Sequence, residues 1–394
     1  MDQKYRNLFD TGVERFGTDS LKWDVKEGEL PMWVADMDFD SAPCVVKALR
    51  DRVDRGAFGY GDITKEWRES YRFWWKIRHQ TEIPEDWLVY SAGAIPTISS
   101  AVRKFTTPGE KVLILTPVYN IFYNSILNNG RVPKECPLIE EDGVSRIDFE
   151  DLERCMADPQ TSAMIFCNPH NPTGRIWTRE ELIRIAELAA DNHVLIISDE
   201  VHCDLTIPGT EYVPFCSLDP KLIGHVISCI APTKAFNLAG IQTGAVVASD
   251  ASVRHKIWRQ INTDEVGEPN TFAIPAVVAA FSPEGEEWLD ALREYLAENR
   301  EIASAYLAEW LPKLRVMKGE ATYLLWIDCS AYCEQYQCDS ESLAERIREK
   351  TGLILSSGVI FGPGGEHFLR MNLACPKRLL SDGLNRLVTA LSTE

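Results

Sequence analysis

The sequence predicts an α/β protein in which a large domain built on a mainly parallel sheet is followed by a smaller α+β domain. Three observations point there. The chain has 394 residues, more than a single small core accommodates and enough for a large domain plus a smaller one. From about residue 87 to 249, short apolar runs rich in β-branched residues alternate with amphipathic helical stretches, the pattern of a sheet covered on both faces. Beyond about residue 281 the alternation gives way to one long helical stretch and then to strands flanking a further helix.

In chain order, the first forty residues carry little periodic structure apart from the apolar segment Pro31-Met32-Trp33-Val34. They are expected to wrap back onto the body of the protein or onto a partner subunit. Strands are expected at 88–91, 112–115, 163–167, 194–198, 226–229 and 245–248. Among the intervening helices 178–192 is the clearest. Thr178 can act as N-cap with Glu181 three residues on, and Leu182, Ile185, Ala186, Leu188 and Ala189 form one apolar stripe. The second domain is expected to hold a helix over 284–311, strands over 323–327 and 368–373, and a helix over 341–350. This divides the chain into an N-terminal segment, 1–45, packing with the small domain, a large domain, 46–283, and a small domain, 284–394.

Hydrophobic residues make up 45% and charged residues 25% of the chain, the proportions of a globular protein with a substantial core. The formal net charge of −18 repels nucleic acid and anionic membrane, so neither is expected as a partner. A small anionic ligand remains compatible, because a phosphate answers to local N–H groups and cations. Eleven cysteines, an odd number without metal-ligand spacing, read as reduced thiols rather than a disulfide framework. Cys329, Cys333 and Cys338 lie closest together but lack a second ligand pair, and no metal is expected. With no signal-like or membrane-length apolar run, a cytoplasmic protein is expected.

Chemistry-bearing residues collect at the ends of the expected strands. Cys167-Asn168-Pro169-His170-Asn171-Pro172-Thr173-Gly174 follows one strand and precedes the capped helix. It therefore sits at the carboxyl edge of the sheet, where open α/β sheets place ligands, and two Asn-Pro steps stiffen the loop. By itself it also reads as a Pro-rich connection. Asp199 ends the next strand, in Ser198-Asp199-Glu200-Val201-His202; burying it demands a cation or N–H partner, and capping the following turn is an equal alternative. Lys234, in Pro232-Thr233-Lys234-Ala235-Phe236 after the strand beyond, has small and apolar neighbours. Such a setting strips an amine of hydration and makes it a nucleophile for a carbonyl, although most lysines are solvated surface charges. In Ser91-Ala92-Gly93-Ala94-Ile95, small residues between strand and helix can let N–H groups approach a phosphate. Tyr119, after another strand, can stack on a planar ring or simply fill the core.

Taken together, N-P-H-N-P-T-G, S-D-E-V-H and P-T-K-A-F-N-L-A-G in this order resemble the fold type I pyridoxal-5′-phosphate (PLP) enzymes of the aspartate aminotransferase superfamily. The resemblance covers essentially the whole chain and is nearest to the MalY/PatB branch of C–S β-lyases. That branch shares P-M-W-V-A-D-M-D-F at residues 31–39, F-G-Y-G at 58–61 and R-M-N at 370–372. It implies a large domain with a seven-stranded, mainly parallel sheet between helices and a homodimer with shared active sites. It further implies that Lys234 binds PLP as a Schiff base, Asp199 pairs with the ring nitrogen, Asn171 bonds the phenolic oxygen and Tyr119 stacks on the ring. Gly93, Ala94, Ile95 and Thr233 would bind the phosphate, with Tyr60 reaching it from the neighbouring subunit. His202 stands where many aminotransferases have tyrosine, and Arg370, with Asn171, Ala35 and Asp36, would meet the substrate. Many aminotransferases carry arginine eight residues after the lysine; Gln242 here leaves the phosphate one cation fewer.

The implied activity is α,β-elimination from a sulfur amino acid, L-cystathionine or L-cysteine, giving pyruvate, ammonia and a thiol. Two alternatives accompany it: a PLP-dependent aminotransferase, and a regulatory binding protein contacting a transcription activator.

Overall fold

The computed structural model describes residues 1–392. A seven-stranded sheet runs in the spatial order Leu88–Ser91, Gly244–Val247, Val226–Ile230, Leu195–Asp199, Thr161–Cys167, Lys111–Thr116 and Val132–Pro137. Six strands point the same way and Gly244–Val247 runs against its two neighbours. The six strands expected from sequence are all present. The seventh, Val132–Pro137, was not expected. It lies at the sheet edge with every side chain but Cys136 exposed or half-buried, so it needs no apolar run and tolerates two prolines.

Two apolar layers sandwich the sheet. On one face Leu113, Phe166 and Ile196 pack with Leu182, Ile185, Ala186 and Ala189 of the Arg179–Asp191 helix. That helix starts where its capping box requires, with Thr178 and Glu181 each satisfying the other's backbone N–H. On the other face Ile114, Ile165, Ile197 and Val246 pack with Ile98 and Val102 of the Ala94–Phe105 helix.

A four-stranded antiparallel sheet, ordered Arg315–Val316, Leu324–Asp328, Phe368–Asn372 and Ser356–Ser357, forms the second core with the helices Ser340–Thr351 and Lys377–Leu391. The helix Pro283–Trp310 serves both cores. Trp288, Leu292 and Tyr295 pack with the large-sheet side, whereas Ala303 and Leu307 join the small one.

The N-terminal segment differs from its sequence expectation. Gln3–Thr11 is a helix capped by Asp2. Its buried residues are Tyr5 and Phe9, which pack against Phe39, Trp288 and Tyr295. Two anchors one turn apart are too short a stripe to register as periodicity. Further along, Leu30–Pro31 pairs in parallel with Leu353–Ile354 of the small domain. The segment therefore touches both cores. All eleven cysteines are free thiols, Cys329 and Cys333 lying Sγ to Sγ at 3.7 Å. Among the described residues no helix is long and apolar enough to cross a membrane.

Candidate active site

Register decides what meets at the carboxyl edge of the large sheet. Cys167 lies opposite Asp199, and Asp199 opposite Cys229, so the loops that follow these strands emerge side by side. They bring Asn171, Asp199, His202 and Lys234 together, and the small domain supplies Arg370 from Phe368–Asn372.

Lys234 donates from Nζ to the carbonyl oxygen of Ala35 at 2.8 Å. Burial pulls its pKa down, the Arg370 cation adds to that, and Asp199 and Asp36 oppose it. Asp199 is 5% exposed and accepts from the Val201 N–H at 3.3 Å. Burial pushes its carboxyl up to about 6, only partly countered by that hydrogen bond and the Lys234 charge. A buried carboxylate in this state lacks a close cation.

Arg370 is held by Asn171 Oδ1 at 3.0 Å, the Trp33 carbonyl at 2.8 Å and Ser356 Oγ at 3.3 Å, and it lies 4.8 Å from the Phe361 ring centroid. Its Nε is buried without a partner. Burial lowers its pKa to about 10, which leaves the guanidinium charged at neutral pH. His202 is buried with Nδ1 unpartnered and its ring edge-on to Tyr323. Burial, then the Lys234 and Arg370 charges, hold its pKa well below the usual histidine range, so the ring is neutral. The Tyr119 hydroxyl is raised by burial and by Asp199 and lowered by Arg370, which places it among the same charges.

Gly93 opens the Ala94–Phe105 helix at φ 145° with no side-chain cap. An L side chain disfavours that conformation, and the uncapped N–H groups with the helix dipole make an anion cradle. Thr233 lies half-buried immediately before Lys234.

Three expected residues stand differently from the rest. Ala35 reaches the site through its carbonyl oxygen, whereas the Asp36 carboxylate accepts from Arg15 at 2.7 Å and keeps Oδ1 buried without a hydrogen-bond partner. Tyr60 is fully exposed on a segment without helix or strand, so this chain does not bring it to its own site. Residues that sequence reasoning missed are Tyr323, whose hydroxyl donates to the Ala35 carbonyl at 3.0 Å, and Trp33 and Ser356, which hold Arg370. The parts of Tyr323 and Trp33 depend on contacts across 288 and 337 positions, and that of Ser356 on the pairing of two strands 14 positions apart, none of which a local pattern announces.

The donor set fits PLP. The buried carboxylate calls for a cationic ring nitrogen, the uncapped helix start for a phosphate, and the dehydrated amine for an aldehyde. The orphaned Arg370 Nε and His202 Nδ1 mark polar capacity that the chain itself leaves unused.

Comparison with known proteins agrees. The family model described as aminotransferase class I and II matches residues 30–387. The chain is 41% identical to the cystathionine β-lyase PatB of Bacillus subtilis over 98% of its own length and 100% of that protein's. Among solved structures, it resembles cystalysin from Treponema denticola, which contains a pyridoxal 5′-phosphate cofactor, with TM-score 0.92 and 34% identity, covering 97% of this chain and 98% of that one. It resembles the PLP-bound C–S lyase from Staphylococcus hominis with TM-score 0.92 and 32% identity over the same shares of the two chains.

Proposed function

The chain belongs to the aminotransferase class I and II family, and from that premise we propose that it is a PLP-dependent C–S β-lyase. It cleaves L-cystathionine or L-cysteine to pyruvate, ammonia and a thiol, homocysteine in the case of cystathionine. The observation that carries this reading is the buried amine of Lys234 set among Asp199, Asn171 and Arg370 in a chain 41% identical to a relative named as a cystathionine β-lyase.

When bound, PLP withdraws electron density from the substrate Cα, which loosens the α-proton and lets the Cβ–S bond break. Lys234 would hold the cofactor, and its amine, when free, would take the α-proton on Nζ. Burial draws its pKa down, which favours the neutral, basic form of that nitrogen. Asp199 holds the proton on the ring nitrogen. Asn171, with Oδ1 occupied by Arg370, has Nδ2 free to donate and would offer it to the phenolic oxygen, and Tyr119 would stack on the ring. Gly93, Ala94, Ile95 and Thr233 hold the phosphate. Arg370 exchanges its Trp33 and Ser356 contacts for the substrate carboxylate in a bidentate pair. Neutral His202 lines the same pocket, and Ala35 and Asp36 close its N-terminal side.

The protein acts in the cytoplasm as a homodimer. Exposed Phe58 beside Phe272, with Tyr60 projecting from the same segment, supports a face for a second copy, whose site Tyr60 completes. The division at residues 46 and 284 belongs to the same reading; positions 393 and 394 lie outside the described residues.

Purified protein incubated with L-cystathionine and no added keto acid is expected to release pyruvate continuously, and Lys234→Ala to release none. Pyruvate that appears only when a keto acid is supplied would mark an aminotransferase. A preparation with no visible absorbance band after PLP addition would point to a binding protein.

A further inference from the structure

Four successive carbonyls in the N-terminal segment are each held by a side chain from the C-terminal part of the chain. Arg370 donates to Trp33 at 2.8 Å. Asn372 Nδ2 donates to both Val34, at 2.5 Å, and Asp36, at 2.6 Å. Tyr323 donates to Ala35 at 3.0 Å. Residues 33–36 thus form a strap whose every peptide oxygen has a fixed direction. The Ala35 oxygen also takes a second donor, Lys234 Nζ at 2.8 Å. Both of its lone pairs are therefore in use.

We infer that Tyr323 is a positioning residue for Lys234: its hydroxyl fixes the Ala35 carbonyl on which the free lysine amine rests, and shares that oxygen so that the amine is held without being held as an ammonium. The inference rests on the assignment of Lys234 as the cofactor-bearing lysine and goes beyond it.

The physical reason lies in how hydrogen bonds to a charged donor differ from those to a neutral one. A carbonyl binds an ammonium more strongly than an amine, so an oxygen wholly at the disposal of Lys234 would favour the protonated form. A second donor draws on the same oxygen and weakens that preference while keeping the carbonyl in place. Burial raises the Tyr323 hydroxyl far above its ordinary range, so it remains a donor at every working pH. The other groups that act on Lys234 are Arg370 from its strand, Asp199 from the adjoining strand end and Asp36 from the strap; neutral His202 and the Tyr119 hydroxyl line the same space. Tyr323→Phe removes the hydroxyl and leaves all of these in position.

The test uses full-length Tyr323→Phe beside wild type. The holoenzyme is expected to keep its cofactor content, melting temperature and KM for L-cystathionine. The acid limb of its kcat profile should move up by about half to one pH unit, which lowers kcat at pH 7 by roughly threefold to tenfold. A readout independent of turnover follows in the full chain stripped of cofactor. Competitive acetylation, with Lys234 quantified by mass spectrometry across pH, should show the same upward shift at Lys234 and none at other lysines. Superimposable acetylation and kcat profiles would overturn the inference. Loss of cofactor and rise of KM with both profiles unshifted would also overturn it, as the mark of a merely structural tyrosine. Borohydride reduction of wild-type holoenzyme that failed to place cofactor mass on Lys234 would sink the underlying lysine assignment, a result distinct from either.

Discussion

Asp199, the last residue of its strand, and Asp204, in the turn that follows, stand five residues apart, both buried, and their carboxyl groups are shifted in opposite directions. Burial raises both. At Asp204 that penalty is overcome by hydrogen bonds from His79 and Trp74 at 3.0 Å each and by the Arg78 cation. At Asp199 the chain supplies the Val201 N–H and the charge of Lys234, whose own pKa burial draws down, and these do not overcome the penalty. At the back the carboxylate charge is thus compensated, through two donors that both converge on Asp204 Oδ1 while Oδ2 has no hydrogen-bond partner, whereas at the front the charge is left open. A fold that compensates one carboxylate and not its neighbour has reserved the second for a ligand.

The largest expected effect tests the compensated side. Asp204→Ala leaves His79 and Trp74 without their acceptor, and should destabilise the protein by about 3–5 kcal/mol; chemical denaturation checks it. Activity of the protein that remains folded should be nearly unchanged, and a comparable loss of kcat would break the division between front and back.

Asp199→Asn should do the reverse. Removing the charge that holds the ring-nitrogen proton is expected to cut kcat by roughly 10²–10³-fold. The same change should stabilise the cofactor-free protein, because the carboxyl is pushed to about 6 from its ordinary 3.8, on the order of 3 kcal/mol. The sign can be read from pH alone. The folded cofactor-free chain holds the Asp199 proton more tightly than the unfolded chain does. Stability from this group is therefore present below pH ~4 and lost as the pH rises through about 6. Asp204, shifted downward, contributes stability present above about pH 4 and lost on acidification. Melting temperatures of wild type and Asp199→Asn between pH 4 and 7 should converge at the acid end; parallel curves would contradict the assignment.

Arg370→Lys keeps a charge but loses the forked geometry. KM should rise roughly tenfold to a hundredfold with a smaller change in kcat, measured by steady-state kinetics. The smallest effect belongs to Tyr60→Phe. Its hydroxyl is fully exposed in the single chain, so stability should not change, whereas PLP affinity should weaken by roughly threefold to tenfold through one lost hydrogen bond. Fluorescence titration of the cofactor-free protein with PLP reports it.

Much of this was legible in the sequence because the large sheet is mainly parallel. The buried strands announce themselves as short apolar runs, and whatever follows the parallel ones lands on the same edge. Asn171, Asp199 and Lys234 could be gathered on paper for that reason. The Arg179–Asp191 helix was legible because its capping box is local. Val132–Pro137 was not, since an exposed edge strand carries no burial signal, and neither was Gln3–Thr11, whose two anchors acquire meaning from the aromatic residues they meet.

The sequence by itself determined the layered fold, the sheet edge that carries the chemistry and the identity of the residues placed there. These follow from periodicity and from strand direction, which are properties of short stretches. The tertiary structure alone decided how those residues are charged and held. The Ala35 carbonyl receives Tyr323 across 288 positions and Lys234 across 199, and Asp199 is raised while Asp204 is lowered by what surrounds them. Burial and the arrangement of distant charges set proton affinity, and neither exists until the chain has folded.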